Sequence, residues 1–392
     1  MSLDEAKTVA EPSLPPTTGD VALFFLKLGT IAFGGPAAHI ALMEDQLVTQ
    51  RQWIPRQRFL DLLAAANLIP GPSSTELAIY IGYELLGLRG LFLAGVCFIL
   101  PAFLIVLAIA AVYVRFGSLP AAAGLLYGVK PVLIPILVQA AWRLGQSTFK
   151  NRRLLIVALF GIPAAFLHQS PLIVLFGCGA IGFALRSATR PGAEKSTLAE
   201  AAPALPAMGA AAAMTAAPIT LTSIFLVFLK IGAVIFGSGY VLLPFLSAEL
   251  VENRHWITNS QLLDAVAVGQ VTPGPVFTTA TFIGYLLKGV PGGIVATAGI
   301  FLPAFILVWA TGPIVKRMRE WPAAGAFLDG LNVGAVAVLI YISWELGHDA
   351  IVDVPTILIA AISGVLLFAL RVNSTWLVLG GGIIGLLLRI KN

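Results

Sequence analysis

Charged residues are scarce in this sequence. Asp, Glu, Lys and Arg make up 11% of it, whereas a soluble globular protein has about 25%. Apolar residues make up 58%, and the mean hydropathy is +0.93. One core surrounded by water cannot bury that much apolar surface, so lipid must be the solvent for much of the protein. The sequence therefore excludes a soluble fold and predicts a polytopic membrane protein in contact with the lipid bilayer.

Other scarce features exclude further classes of site and partner. The chain has two cysteines, Cys97 and Cys178, both in apolar segments, so neither a disulfide framework nor a thiolate metal site is predicted. The net charge of +5 is spread along the chain without a Lys/Arg run, which argues against nucleic acid as a partner. Residues 1–20 lack the basic and apolar regions of a signal peptide, so we expect insertion through the first membrane helix. The chain also lacks a GxxxxGK[ST] segment, so we expect neither a primary pump nor a cofactor.

The most informative pattern is an internal repeat. A shift of 203 positions aligns FLKLGTIAFG, from Phe25, with FLKIGAVIFG, from Phe228, and it aligns two PGP segments at 70–72 and 273–275. Apolar composition alone would not keep Trp, Pro, Lys and Asp in register over about 120 residues, so we infer a duplication. The predicted domains are an extramembrane tail at 1–20, a first transmembrane repeat at 21–186, an Ala/Pro-rich linker at 187–220 and a second repeat at 221–390.

Each repeat is predicted to cross the membrane about five times. In the first repeat, apolar stretches of spanning or nearly spanning length lie at 21–42, 90–115, 120–146, 152–167 and 170–186. Residues 58–69 and 74–87 are each too short to cross roughly 30 Å of hydrocarbon, and the prolines between them forbid a continuous helix. Broken backbone at membrane depth must be buried in protein or line a water-filled cavity. We therefore expect a hairpin of half-helices, broken at PGP, that enters and leaves on one side.

Five crossings is an odd number, so the second repeat is predicted to lie upside down relative to the first. In the first repeat, basic residues follow the first, third and fifth spans, which places those loops in the cytoplasm. The equivalent loops of the second repeat hold acidic residues such as Glu249 and Asp349, while Lys316, Arg317 and Arg319 occupy a loop on the other side. The predicted fold class is thus an all-α polytopic membrane protein with an inverted-topology repeat, a cytoplasmic linker and both termini outside.

The two PGP segments are the leading candidate for a binding site. An inverted repeat with a discontinuous helix in each half is typical of transporters, whose substrates bind near the midplane where the breaks face each other. A helix N-terminus offers unpaired amides and the positive end of the helix dipole, so each break can solvate an anion. The alternative is that the hydroxyl residues after the breaks only cap a kinked helix. These residues are Ser73, Ser74 and Thr75 in the first repeat and Thr278 and Thr279 in the second.

Polar residues near the breaks are further candidates. Lys27 and Lys230 match in the repeat, and a lysine at a helix centre costs roughly 2.5–3.5 kcal/mol on insertion scales, so we expect either a bound substrate or snorkelling to the interface. Asn67 and Gln270 lie three residues before the breaks, where they could donate to a ligand or satisfy freed carbonyls.

Four titratable residues are candidates for coupling or gating. Glu76 follows the first break and is a candidate proton carrier, unless it pairs with a basic residue. Asp61 and Asp264 match each other and could be caps, salt-bridge partners or coupling groups. His39 has Leu242 opposite it in the repeat and could be structural or functional.

Glycines mark a second region of interest in each repeat. Gly34 and Gly35, and then Gly237 and Gly239, are predicted to allow close helix packing or a second break in the first span, rather than to contact a ligand.

Five sequence segments carry a family resemblance. FLKLGTIAFGGPAAHIA and NLIPGPSSTELAIYIGY in the first half, and FLKIGAVIFGSGYVLLPFL, QVTPGPVFTTATFIGY and GIFLPAF in the second, closely resemble the long-chain chromate ion transporter family. The resemblance implies a bacterial inner-membrane protein with opposed homologous halves that exports chromate and confers resistance to it, and sulfate is the related oxyanion. The positions that the resemblance carries over are Lys27, Gly34, Gly35, Pro36, His39, Asn67, Pro70, Gly71, Pro72, Lys230, Gly237, Gly239, Gln270, Thr272, Pro273, Gly274 and Pro275.

Chromate is a strongly hydrated tetrahedral dianion, so its site must replace water with many donors and some positive charge. The leading hypothesis is a secondary transporter that exports chromate by alternating access, with the proton as the expected coupling ion. A main cargo of sulfate or another oxyanion is the alternative. An intramembrane lipid-modifying enzyme using His39 with Glu44 is disfavoured, because HExxH and paired metal-ligand clusters are absent from the sequence. The sequence leaves the oligomeric state open, with a homodimer among the options.

Overall fold

The structure is a computed structural model that describes residues 16–33, 35–117, 119–149, 152–187, 218–236, 239–314 and 322–390. Within these ranges every regular element is helical, so the all-α class predicted from the sequence is confirmed for the described part of the chain. Most of the predicted tail and of the predicted linker lies outside these ranges.

The helices of the two halves follow the same order. In the first half they are α1 (Thr18–Ile31), α2 (Pro36–Glu44), α3 (Arg56–Ala66), α4 (Ser73–Phe116), α5 (Pro120–Thr148), α6 (Arg152–Phe166) and α7 (Pro171–Ser187). In the second half they are α8 (Leu221–Val234), α9 (Leu242–Leu246), α10 (Asn259–Val271), α11 (Thr279–Thr311), α12 (Pro322–Ala350), α13 (Val354–Phe368) and α14 (Ser374–Ile390). A π-helical turn extends α2 at Asp45–Gln50 and α9 at Ser247–Glu252, and a 3₁₀ turn, Val276–Thr278, precedes α11.

Several helices are long and apolar enough to cross a membrane. In the described part of the chain there are four of them, Ser73–Phe116, Ala121–Gln146, Val276–Thr311 and Gly325–Ala350. Shorter apolar helices accompany them, and large apolar side chains such as Leu159 and Trp309 are more than half exposed. Outward-facing apolar side chains on long helices indicate a multi-pass membrane protein.

The long helices α4 and α11 each fold back on themselves. The backbone φ is +61° at Gly87 and +62° at Gly289, in the left-handed region that favours glycine. On the two sides of the first bend, Gly82 and Gly90 pack so closely that a Cβ added to Gly82 would overlap the Gly90 carbonyl oxygen. Gly284 is equally crowded in α11. Each of these helices is therefore a hairpin of a short first arm and a long second arm.

An ion pair fixes the relative direction of α3 and the first arm of α4, residues 73–85. Arg58, near the start of α3, donates from Nε and Nη2 to the two carboxylate oxygens of Glu84, at 2.9 and 2.7 Å. Glu84 lies at the far end of the first arm. The two segments consequently run in opposite directions, with residues 67–72 at their other end.

The first predicted span, 21–42, is two helices. α1 ends at Ile31, and α2 begins at Pro36 after a nonhelical segment. The φ of Gly35 is +78°, and Pro36 has no amide hydrogen, so the helix cannot continue through them. α8 ends at Val234, the position equivalent to Ile31. Of the two interpretations of the glycine-rich segments, a second break in the first span is the one that the described residues adopt.

Helices of each half pack against helices of the other half, which we call exchanged packing. α7 of the first half packs on α12 of the second, and α14 of the second packs on α5 of the first. Glycines allow both contacts, since a Cβ at Gly128 of α5 would overlap Gly381 of α14, and one at Gly330 of α12 would overlap Cys178 of α7. Gly128 and Gly330 are equivalent in the repeat, so exchanging the two halves converts one contact into the other.

Candidate functional site

Four helix breaks of the described residues, those that follow α1, α3, α8 and α10, meet in pairs through two backbone hydrogen bonds. The N–H of Gly71 donates to the carbonyl of Ile235, at the end of α8, with an N–O distance of 2.7 Å. The N–H of Gly274 donates to the carbonyl of Ala32, at the end of α1, at 3.0 Å. Gly71 and Gly274 are equivalent in the repeat, and so are Ala32 and Ile235. Each half thus supplies the backbone partner that the break of the other half needs.

Both PGP glycines have backbone conformations that other residues rarely adopt. The φ is +137° at Gly71 and +90° at Gly274. A Cβ added to Gly71 would overlap the Glu76 carboxylate, and one added to Gly274 would lie 2.9 Å from the Cβ of Ala102. Conformation and space therefore both require glycine at these positions.

His39 connects the first break of the chain to the start of α4. Its ring is buried, with Nε2 3.1 Å from the Ala32 carbonyl oxygen and Nδ1 3.2 Å from Ser74 Oγ. A carbonyl only accepts, so Nε2 carries the hydrogen, and in the neutral ring Nδ1 then accepts from the Ser74 hydroxyl. The Ala32 carbonyl consequently accepts from both His39 and Gly274. Leu242 holds the equivalent position in the second half and cannot make these bonds.

The first turn of α4 is buried and contains unpaired polar atoms. Ser73, Ser74, Thr75 and Glu76 are at most 6% exposed. Among the described residues, Thr75 Oγ1 and both carboxylate oxygens of Glu76 find no hydrogen-bond partner. This N-terminus, which the sequence marks as a candidate anion site, therefore also holds a carboxyl group.

The hydroxyls of the second break bond to nearby backbone. Thr272 donates to the Val268 carbonyl at 2.7 Å, Thr278 to Pro275 at 2.8 Å and Thr279 to Val276 at 2.8 Å. In this conformation each hydroxyl closes a local turn. A rotation about χ1 would be needed before it could donate to a ligand.

The two amide residues before the breaks differ in their surroundings. Gln270 is 8% exposed, its Oε1 accepts from Tyr240 Oη at 3.3 Å, and its Nε2 has no partner among the described residues. Asn67, at the C-terminal cap of α3, is exposed. Gln270 thus has a buried amide donor available.

The two equivalent lysines also differ. Lys230 forms an ion pair with Glu249, which is 8% exposed and also lies 3.7 Å from the Arg254 guanidinium. Lys27 lies on the exposed face of α1, one turn from the exposed side chains of Leu23 and Ile31. In the described structure the Lys230 ammonium group is in an ion pair, whereas Lys27 lies on an exposed helix face.

The aspartates near the hairpin entries have separate partners. Asp264 is 2% exposed, lies 3.3 Å from Lys130 Nζ and accepts from Tyr113 Oη at 2.8 Å. Asp61 accepts from Gln57 Nε2 at 3.3 Å. Asp264 is thus a salt-bridge partner, one of the alternatives that the sequence leaves open.

Sequence reasoning missed the carbonyls of Ala32 and Ile235 and the partners Lys130 and Tyr113. The sequence feature that could have located these two carbonyls is their position. Each lies just after α1 or α8, the helices that contain the repeated FLK segment, and just before a glycine-rich segment. Gly34 and Gly237 lie outside the described residues, and Gly239 begins a 3₁₀ turn.

Comparisons with known proteins agree with a chain of two homologous halves. The family model described as chromate transporter matches residues 19–183 and 222–386, once in each half. The chromate transport protein of Cupriavidus metallidurans is 37% identical over 373 residues, 94% of this chain and 93% of the relative. The probable chromate transport protein of Synechococcus elongatus is 34% identical over 344 residues, 87% of each chain. The chromate transport protein of Pseudomonas aeruginosa is 33% identical over 350 residues, 86% of this chain and 83% of the relative.

No solved structure matches the chain. The family model covers both halves, and the named relatives match along most of their length. This chain therefore belongs to the chromate transporter family, whose members are transport proteins and not enzymes.

Proposed function

We propose that this protein is a secondary transporter that exports chromate across the bacterial inner membrane and binds it where the four helix breaks meet. The observation that carries the proposal is the reciprocal pair of backbone bonds, Gly71 to Ile235 and Gly274 to Ala32. These bonds bring the start of α4 and the segment before α11 to the contact between the halves. Transporters with inverted repeats bind substrate at such contacts between discontinuous helices.

The breaks offer the donors that a dehydrated dianion needs. The N–H groups of Gly71 and Gly274 and Nε2 of Gln270 are such donors, and the first of them lies beside the positive end of the α4 dipole. The two glycine amides are now bonded to carbonyls of the opposite half, so an arriving anion would take over these bonds as the halves separate. The hydroxyls of Thr278 and Thr279 could turn toward it. The proposed site is therefore built from both halves.

The two lysines have a different role in this proposal. Lys230 is paired with Glu249, and Lys27 is exposed. Because Arg254 shares Glu249 with Lys230, the lysines and this arginine together add a net positive potential that attracts chromate toward the site, while the peptide and amide N–H groups hold it.

Alternating access would interchange the conformations of the two halves. In the proposed mechanism the second half lies upside down relative to the first, the linker at 187–220 is cytoplasmic, and the site opens to one side at a time. The exchanged packing of α7 on α12 and α14 on α5 supports such a two-fold relation. His39 and Leu242 break the symmetry, so the two open states differ in energy.

Transport by purified protein in liposomes tests this proposal. Full-length protein should carry labelled chromate under an imposed membrane potential, and liposomes without protein should not. Replacing Gln270 by Leu removes a buried donor, so we expect chromate flux to fall about tenfold, the effect of losing one hydrogen bond of about 1.4 kcal/mol. The matched control is Gln139→Leu in α5, which removes a glutamine bonded to the Leu367 carbonyl at 3.1 Å.

Flux in the Gln139→Leu control should remain close to that of the wild-type protein. Absence of chromate flux in either direction by the wild-type protein would overturn the proposal. Sulfate added as a competitor in the same assay identifies the preferred oxyanion.

A further inference from the structure

We propose that the Glu76 carboxyl is the proton site of this transporter, and that an oxyanion binds at the first PGP break only when Glu76 is protonated. The inference rests on the proposed function, because it assumes that the anion binds at the breaks. It adds to the proposed function the residue that carries the proton and a stoichiometry of one proton for each anion.

The position of the carboxyl is the first argument. Glu76 is 0% exposed, and neither of its oxygens has a hydrogen-bond partner in the described part of the chain. Oε1 points at Gly71, since a Cβ added to that glycine would overlap it. The carboxyl therefore lies between the PGP glycine and the first turn of α4, where the proposed anion would bind.

Charged groups on the same helix and on α2 and α3 do not compensate Glu76. Arg89 and Arg115 of α4 are exposed. Glu84, two turns later in α4, is held by Arg58 of α3. Arg56 of α3 lies 3.5 Å from Glu44 of α2. The two cations of α3 are thus engaged with other carboxylates.

The remaining elements packed on α4 offer no better partner in the described residues. Lys27 of α1 and Lys288 of α11 are exposed, and Asp264 of α10 is bonded to Lys130. His39 of α2 is nearby but uses both ring nitrogens for Ser74 and Ala32.

A tyrosine on the same helix as Glu76 is uncharged. Tyr80, one turn after Glu76 in α4, bonds to Thr311 Oγ1 of α11 at 2.5 Å. Its hydroxyl carries no charge that could balance a carboxylate.

A buried carboxylate without a donor or a cation is strongly disfavoured, so the carboxyl is protonated in this conformation. Ionised, it would repel a dianion at the same break. Protonated, it offers an O–H that can donate to an oxyanion. When the site opens to water Glu76 can ionise, so one proton is taken from water with each anion that binds and returns to water on the other side when Glu76 ionises after release. Proton and anion binding therefore favour each other, and the two travel together.

This coupling has a consequence for the driving force. A dianion accompanied by one proton carries one net negative charge outward. A membrane potential that is negative inside drives that movement. A pH gradient that is acidic outside opposes it.

Proton uptake during chromate binding tests the inference. The measurement is isothermal titration calorimetry of purified full-length protein with chromate, in two buffers of different ionisation enthalpy, across a series of pH values. Wild-type affinity should weaken by up to about tenfold for each pH unit once Glu76 ionises. Chromate itself takes up a proton near neutral pH, so the comparison is with Glu76→Gln, which is permanently neutral. At pH values where Glu76 of the anion-free protein is ionised, which the fall in affinity marks, the wild-type protein should take up one more proton per bound anion than this variant.

Matched variants separate the possible outcomes. Glu44→Gln, which neutralises a carboxyl on α2, should take up the same number of protons as the wild-type protein. If Glu76→Gln takes up as many protons as the wild-type protein, the inference is overturned. It is also overturned if a folded Glu76→Gln protein binds no chromate, because the amide mimics the protonated acid and should allow binding. If Glu76→Gln does not fold, Glu76→Asp must still show the extra proton, and its absence would be equally decisive.

The wild-type result distinguishes this inference from the proposed function. Wild-type protein that binds no chromate would overturn the proposed function and this inference together. Wild-type protein that binds chromate without an extra proton at any pH of the series would overturn this inference alone.

Discussion

Glycine at the centre of each PGP segment is subject to two constraints, a positive φ and the absence of space for a Cβ. Replacing Gly71 by Ala imposes a strain of roughly 1–3 kcal/mol and forces the Glu76 carboxyl to move. We expect this variant to lose at least about tenfold of its chromate flux in liposomes.

The matched control for this substitution is Gly177→Ala in α7, where an added Cβ meets no atom within 4 Å. That variant should transport normally and be as stable as the wild-type protein, because alanine favours a helix. Equal flux from both variants would show that the break does not need glycine.

The asymmetric residue His39 provides a second prediction. His39→Leu copies the residue of the second half and leaves the Ser74 hydroxyl without its acceptor. Losing these buried hydrogen bonds should lower the free energy of unfolding by about 1–3 kcal/mol, measured by denaturant unfolding in detergent. His348→Leu removes an exposed histidine and should have little effect. A His39→Leu protein as stable as the wild type would mean that the buried bonds contribute nothing.

Sequence reasoning located the residues of the breaks but not their partners. The repeat identified Gly71 and Gly274 because both are bracketed by prolines at the same spacing. Their acceptors, Ala32 and Ile235, lie in the opposite half, and a backbone carbonyl has no signature in a side-chain pattern. The equivalence of Lys27 and Lys230 was also visible, whereas the Glu249 pair was not, because it depends on how α8 packs against the turn after α9.

At the level of elements, the cap of α13 predicts a dependence on pH. Asp353 accepts from Tyr127 Oη at 2.7 and 2.8 Å and from the Thr356 N–H at 3.0 Å. These bonds, with Tyr127 contributing most, lower the pKa of Asp353 below its ordinary value of 3.8. A lowered pKa stabilises the folded state above the pKa of the unfolded chain, and this contribution is lost as the pH falls through the folded pKa.

Asp353→Asn should therefore lower the thermal unfolding midpoint at pH 7, and its difference from the wild type should shrink below about pH 4. The measurement is thermal unfolding of both proteins in detergent from pH 7 to pH 3. Asp349→Asn, at an exposed position four residues earlier, is the control for loss of charge alone. A difference that stays constant with pH would exclude the carboxylate as its cause.

The predicted spans agree with most of the observed helices, since composition and proline positions determine where a helix can start and end. The stretches at 120–146, 152–167 and 170–186 correspond to α5, α6 and α7. The stretch at 21–42 does not, because hydropathy is insensitive to a glycine-rich break between two equally apolar segments. The joining of 74–87 and 90–115 into a hairpin depends on the φ of Gly87, which composition does not encode.

For the whole molecule, the proposed inverted topology makes a direct prediction about accessibility. Gln57 and Ser260 are equivalent in the repeat, and both are exposed. In a background without Cys97 and Cys178, a cysteine at position 57 should react with an impermeant maleimide from the cytoplasmic side, and one at position 260 from the opposite side.

Inside-out and right-side-out vesicles give the two measurements. Labelling of both positions from the same side would contradict the inversion. The basic and acidic loops of the sequence predict this arrangement, but they do not predict the exchanged packing of α7 on α12 and α14 on α5. That packing depends on glycine contacts such as Gly128 with Gly381, between residues far apart in the chain.

The reciprocal bonds at the breaks also constrain the biosynthesis of the protein. Ribosomes add roughly 5–20 residues per second, so Ile235 is made roughly 8–33 s after Gly71. Until then the Gly71 amide has no backbone acceptor, and the first half is inserted with an unfinished break. Membrane insertion must therefore protect an incomplete half during translation, and folding of the breaks is completed only after the second half has entered the bilayer.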